Sequence, residues 1–318
     1  MGTLQQLFSF GHKDPPELQQ AIERAVNAVE PQLKGTLKYP GAFRKPVKAA
    51  LEYARDMALS VPGPINADLD AYAHNAYVHA VFPSMEVVSD AIRTSRAMQE
   101  YLQANPATRE IYALMGMRRR EKTMMGMELS GEVIHRDVPQ QVVYFSSHTV
   151  ENPAPSEEQA RQQVSWAFFD SLVKKVVKQV ESRKQELQAQ QQEMELLMAK
   201  LHNADPHDRP AMQARLSKML SEMQAARKSL DLHKYPEDFE AVLLHPEKHL
   251  WLNQLSLVLD SMGIERENTE NGAKTIVFNE LVGFDRRDWT VAIVHCHDIP
   301  GESFASRLED AYRKLSII

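Results

Sequence analysis

Only one cysteine, Cys296, occurs in 318 residues. A single thiol excludes an internal disulfide and any paired Cys-x-x-Cys motif, and it fits a reducing compartment. Uninterrupted apolar runs of about 18 residues are also missing, so no membrane-spanning helix is expected. The start, MGTLQQLFSFGHK, has no basic cluster ahead of its few apolar residues. Gln6 stands where an N-myristoylation signal needs Ser or Thr, so neither a leader nor an acyl anchor is expected. The sequence holds no phosphate-binding GxxxxGK[ST] loop, no GxGxxG turn, no GxSxG elbow and no HExxH helix. These gaps remove the familiar nucleotide-binding, serine-hydrolase and zinc-protease signatures, and no cofactor is expected. Charge of one sign is not in large excess either: 37 Lys and Arg face 43 Asp and Glu, for a net charge of -6. The chain as a whole is therefore not a general polyanion binder. The expectation is a cytoplasmic protein with no membrane contact.

What is present is ordinary globular material. Apolar residues make up 43% and charged residues 25%, enough for a packed core. The length suits roughly two domains.

The first third reads as helices. Asp14 precedes Pro15 and Pro16, and Leu18, Ile22, Val26 and Val29 recur at helical spacing. A second helix is expected over Pro46 to Ser60, a third near Asp68 to Val81, and a fourth after Pro83 with Ser84 as its cap. Asn105 and Pro106 look like the cap and first position of a fifth. Together these predict an N-terminal helical domain over 1–120 with its own core. The pattern changes near Lys122. Gly126 and Gly131 punctuate β-prone runs at Glu132–His135 and Gln141–Ser147, which predict two or three short strands.

From Glu157 to His202 there is no Pro or Gly, a run that predicts one long helix capped by Ser156. Val173, Val180, Leu187, Met194 and Leu201 repeat every seven residues, the period of a helix–helix seam. The companion line is taken as Val177, Lys184, Gln191 and Met198, a weak one. After the turn-rich HNADPHDRP, Met212, Leu216, Met219, Met223, Ala226 and Leu230 alternate spacings of four and three. The pair predicts an antiparallel coiled-coil hairpin over 157–235 with its tip near 202–210. Pro246 and Gly263 bracket a further expected helix. KTIVFNEL and WTVAIVHCH predict a β-hairpin with a longer loop, and a last helix is expected over 302–315. The fold class is thus α+β and predominantly helical. Residues 121–156 and 236–318 form a core with a small mixed sheet, into which the hairpin is inserted.

Three constellations carry candidate chemistry. In IVHCHD, period-two alternation puts His295 and His297 on one side of a strand and Cys296 on the other, with Val294 and Ala292. Two histidines at this spacing, with Asp298, fit a divalent-metal site and a metal-dependent enzyme; the plain alternative is a strand end with water-bonded rings. The separation argues against a thiolate–imidazole pair. Arg118, Arg119 and Arg120 are read as cations at the end of the fifth helix, and also as candidates for nucleic-acid contact together with the hairpin. Between Lys174 and Lys234 the hairpin holds twelve Lys or Arg against eight Asp or Glu. Its tip gathers His202, Asp205, His207, Asp208 and Arg209, which suit a protein contact better than a metal cage. The leading expectation is therefore a non-enzymatic interaction or assembly protein, using the hairpin to bind another protein or itself. Metal-dependent catalysis comes second and nucleic-acid binding is less favoured.

Overall fold

A computed structural model describes residues 14–130, 133–269, 272–283 and 288–297. Asp298, the loop arginines 286 and 287, and the helix expected over 302–315 lie outside the described residues. The chain divides into two compact units: Met1–Tyr53 with Phe169–His249, and Ala54–Phe168 with Leu250–Ile318.

In the first unit the described residues are helical. Helix α1 (Pro16–Val29) buries Ala21, Ile22, Ala25 and Val26 along one stripe. Asp14 does not cap it. Its carboxylate instead accepts from Arg44 Nε at 2.6 Å, in helix α2 (Gly41–Ser60), and Pro15 occupies the cap position. Buried rings join α2 to the later helices: Phe43 meets Phe239 edge-on, with centroids 4.8 Å apart.

The second unit is built on a six-stranded sheet. It begins with the two-residue β1 (Ile65–Asn66), followed by four short helices, α3 (Leu69–His74), α4 (Ala76–Val81), α5 (Met85–Thr94) and α6 (Arg96–Ala104). Polar caps separate them. Asn75 Oδ1 accepts from Tyr77 and Val78 N–H, and Ser95 Oγ accepts from Met98 N–H, so the two long helices expected here are each broken once. Two long strands follow, β2 (Ile111–Ser130) and β3 (Val133–Ala154). After the helices α7 (Glu157–His202), α8 (Arg209–Ser229) and α9 (Tyr235–Leu243) come β4 (Leu250–Leu259), β5 (Lys274–Gly283) and β6 (Asp288–Cys296). Strand order is β3-β2-β6-β5-β4, antiparallel throughout, and β1 lies parallel to β6. The two strand groups on either side of the long helices therefore form one sheet, as the sequence predicted, joined where β2 pairs with β6.

This sheet curls. Turn residues 260–266 bond to both outer strands: Arg266 N–H donates to Val258 O in β4, and Val143 N–H in β3 donates to Gly263 O. Gly263 has φ 74°, and a Cβ there would stand 2.6 Å from Val143 O, so the close approach needs glycine. Across the concave face Phe145 of β3 meets Phe278 of β5 at 5.0 Å, although these strands are not neighbours in the sheet. Val78, Val81, Phe82, Val88 and Met98 from α4–α6 complete that core. Helices α3 to α6 thus pack on the sheet and share its core. This corrects the expected self-contained helical domain over 1–120, whose boundary falls inside β2.

Two expected helices are strands. Residues 111–120 belong to β2, where Ile111, Ala113, Met115 and Met117 are buried in alternation. Ala, Leu, Met, Arg and Glu favour helix intrinsically, but pairing on both edges, with β3 and β6, outweighs that preference. Residues 250–259 form β4. Its leucines fit both a helical and a period-two pattern, and continuous pairing with β5 selects the second.

Candidate functional site

The His295 region is assembled by the segment that follows α2. Arg161 of α7 donates from Nη1 to the carbonyls of Ala58 (2.8 Å) and Val61 (2.9 Å), and from Nη2 to Gly63 O (3.0 Å). This guanidinium caps the carbonyl end of α2 and holds the turn VPGP. The turn lies against β6: Ile293 N–H donates to Pro62 O at 2.7 Å. Gly63, at φ 119°, approaches so closely that a Cβ would stand 2.2 Å from Ile293 O. The next residues run beside β6 as β1, with Asn66 opposite His295.

The placement brings two polar side chains, Asn66 and Asp68, to the two histidines. His295 stacks on Tyr112 (centroids 4.4 Å, 7° between planes), and its Nδ1–H donates to Asn66 Oδ1 at 3.2 Å. Its Nε2 is shielded and makes no hydrogen bond; the Glu110 carboxylate, at 3.9 Å, is too far for one. His297, one residue past β6, donates from Nε2 to Asp68 Oδ2 at 2.7 Å. The other oxygen of Asp68 accepts from Ala71 N–H at 2.7 Å and so caps α3. That amide, and after it the His297 ring, hold the Asp68 carboxyl below the usual carboxylate range.

The histidine rings are 5.6 Å apart. Each has a ring nitrogen committed to the β1–α3 segment, and among the described residues no three His, Cys, Asp or Glu side chains are arranged to hold a metal ion. Asp298, the third expected ligand, is outside the described residues. Cys296 points into the sheet core with Val294, away from His295; burial pushes its thiol up to about 12. The sequence showed the alternation of His295 and Cys296. It carried no signal for Asn66 and Asp68, which lie far away in the chain.

Arg118, Arg119 and Arg120 are strand residues, which corrects their placement at a helix end. Arg118 lies over the Trp289 ring, 4.5 Å from its centroid. Arg119 Nε donates to Glu280 Oε1 at 2.7 Å, and the same guanidinium pairs with Glu121. Glu280 is 7% exposed, so this pair neutralises a carboxylate at the rim of the core. Only Arg120 is exposed.

At the tip, His202 ends α7 and Arg209 begins α8. Asp205 O accepts from Asp208 and Arg209 N–H, and Arg209 Nε donates to Ala204 O at 3.1 Å. His207 and Asp208 are exposed, 3.5 Å apart. Below the tip, side chains of α7 and α8 meet: Arg215 pairs with Glu193, and Arg183 Nη1 donates to Ser229 O at 3.1 Å. On α8 Met219 and Met223 are buried, with Met212 and Leu216 half-buried. On α7 Leu197 is buried and Met198 is exposed. Arg183 and Leu197 are more shielded than Lys184 and Met198, so burial does not follow the expected companion line. Gln190 Oε1 is shielded without a hydrogen-bond partner.

Among the described residues no helix is long and apolar enough to cross a membrane. Comparison of the chain with protein-family models, with curated proteins and with solved structures returns no match.

Proposed function

We propose that this is a protein-interaction or assembly protein that works through α7 and α8, paired as an antiparallel coiled-coil hairpin, and that it is not an enzyme. The observation that carries the proposal is the distribution of large apolar side chains on the distal helices. An inner line that includes Leu197, Met219 and Met223 is buried, yet Leu196, Met198 and Leu220 remain 64%, 43% and 45% exposed. A helical pair that needed only to cover itself would carry polar residues at those outer positions. Leucine and methionine there suit an adaptable protein-facing surface, with the exposed charged tip at its end. The commitments of Arg118 and Arg119 within the sheet leave nucleic-acid contact with less support, and the engaged histidine nitrogens do the same for a metal.

The test is a chain lacking residues 184–227, with the ends joined by a short turn, beside a full-length chain carrying Leu196→Glu and Leu220→Glu. Both are expected to lose the partner, or the self-association, of the parent chain while keeping its strand content by circular dichroism. Unchanged partners and unchanged mass in both would refute the proposal.

A further inference from the structure

Beyond Met117, where pairing with β6 stops, β2 and β3 continue together, and their two faces differ in kind. Alternate residues of a strand share a face, and residues directly opposite in a ladder share it too. On the face that continues the core, Arg119 pairs with Glu280 and Glu121, and Phe145 is buried. The other face carries Arg118, Arg120 and Lys122 from β2, opposite Ser146, Tyr144 and Val142 of β3. Three cations stand there with no carboxylate among the residues that face them. The long helical hairpin, by contrast, interleaves its twelve cations with eight carboxylates.

None of the three cations is neutralised. Arg118 lies over the Trp289 ring, and its Nη1 donates to Asp288 O at 3.4 Å; a ring and a backbone carbonyl leave the guanidinium charge in place. Arg120 and Lys122 are exposed, and among the described residues neither side chain makes an ion pair or a hydrogen bond. Tyr144, directly opposite Arg120, is 46% exposed. Alternate residues along a strand stand about 6.6 Å apart, so the cations form a row about 13 Å long with an open aromatic ring beside its middle member.

We infer that this face binds single-stranded nucleic acid, with Arg118, Arg120 and Lys122 on successive phosphates and Tyr144 stacked against a base. Charge complementarity selects a polyanion as the occupant, because the row has no internal counter-charge. Its even pitch matches a backbone whose charges recur regularly whatever the sequence, as phosphates do along an extended single strand. An acidic protein segment matches it only with an acid at every second residue. The exposed ring selects a strand with free base faces, since a duplex covers those faces and offers Tyr144 nothing to stack on. DNA and RNA share this chemistry, and the test separates them. Arg119 is turned to the core and takes no part. No residue of this face lies on α7 or α8, so this contact and the hairpin's protein contact can fail independently.

Fluorescence anisotropy of labelled oligothymidylate and oligouridylate, titrated with the full chain, tests it. At least one of the two is expected to bind, with a slope of log Kobs against log salt near -2, about 0.7 for each of three phosphates. Arg120→Ala and Lys122→Ala are each expected to make that slope shallower by about 0.7 and to raise Kd by at least about threefold. Tyr144→Leu is expected to raise Kd by at least about fivefold and to leave the slope unchanged. All three side chains are exposed, and thermal melts are expected to match the parent. Lys200→Ala, an equal change of charge at an exposed position of α7, is expected to change nothing. Absence of binding to both oligomers at about 50 mM salt overturns the inference. So does parent-like affinity in the Arg120→Ala, Lys122→Ala double variant, or a duplex bound as tightly as the single strands. Polyglutamate or phosphatidylserine vesicles bound in preference to both oligomers overturn it too.

Discussion

Phe278 and Met223 are both buried, yet they sit in different kinds of interior. Phe278 meets Tyr77 of α4 at 5.3 Å and Phe145 of β3 at 5.0 Å, inside a core to which helices and five strands of the curled sheet contribute. Met223 lies on a helix pair one side chain deep, with an unpaired amide oxygen on the facing helix. The first interior closes over groups far apart in sequence, so its elements stabilise one another cooperatively. The second is a local seam, and it can open from the tip without disturbing the sheet. Exposed apolar side chains occur in both regions, Met125 and Met262 in the sheet unit as well as Leu196 and Leu220 on the long helices.

Substitution in the two interiors is the strongest test of this contrast. Phe278→Ala is expected to cost about 3–5 kcal/mol and to lower the unfolding midpoint of the whole sheet unit. Met219→Ala is expected to cost less, near the lower end of the ~2–5 kcal/mol range for such truncations, and to speed amide exchange only in α8 and distal α7. Equal global losses from both would break the distinction. Next in size is Gly63→Ala. Its Cβ would collide with Ile293 O in a backbone region that favours glycine, and a loss of about 1–3 kcal/mol is expected, with faster exchange at Ile293 and Ala67.

Gln190→Leu is expected to act in the opposite direction. It removes a shielded oxygen that lacks a partner and should stabilise the helix pair by about 1 kcal/mol, seen as slower exchange near the tip. The smallest effect is a pH dependence confined to the sheet unit. His148 stacks on Phe82 at 5.1 Å, and its Nε2–H donates to Val81 O at 2.8 Å; burial lowers its pKa. With the folded value below the unfolded one, the unfolded chain takes up the proton first as pH falls. The contribution of His148 is complete above the ordinary histidine range near ~6.5 and is lost as pH falls through the folded value. The slope should stay well below ~1.4 kcal/mol per pH unit, because the ring is only partly shielded. Urea melts at a series of pH values should show it, and His148→Gln should flatten the curve.

Legibility in the sequence followed the range of the interaction. Ser156 as the start of α7, Asp68 as the start of α3, and the methionine spacing of α8 are local signals, and each matches the structure. The alternation of Val294, His295 and Cys296 is equally local. Ile111–Arg120 and Leu250–Leu259 carry a helical pattern locally, and their strand state depends on partners far along the chain. The candidate site divides the same way. His295 and His297 were visible as a pair, whereas Asn66, Asp68 and Arg161 become relevant only when β1 is laid beside β6.

The sequence by itself determined the long helix α7 and its cap Ser156, the spacing of apolar positions along α8 and the side of β6 on which each side chain stands. All of these follow from backbone geometry within a few residues. Only the tertiary structure decided that residues 111–120 and 250–259 are strands, that α3–α6 share a core with the sheet, and that Asp68 meets His297. Those outcomes depend on pairing and burial between distant segments, which outweigh local preference once the ladders and the core form together.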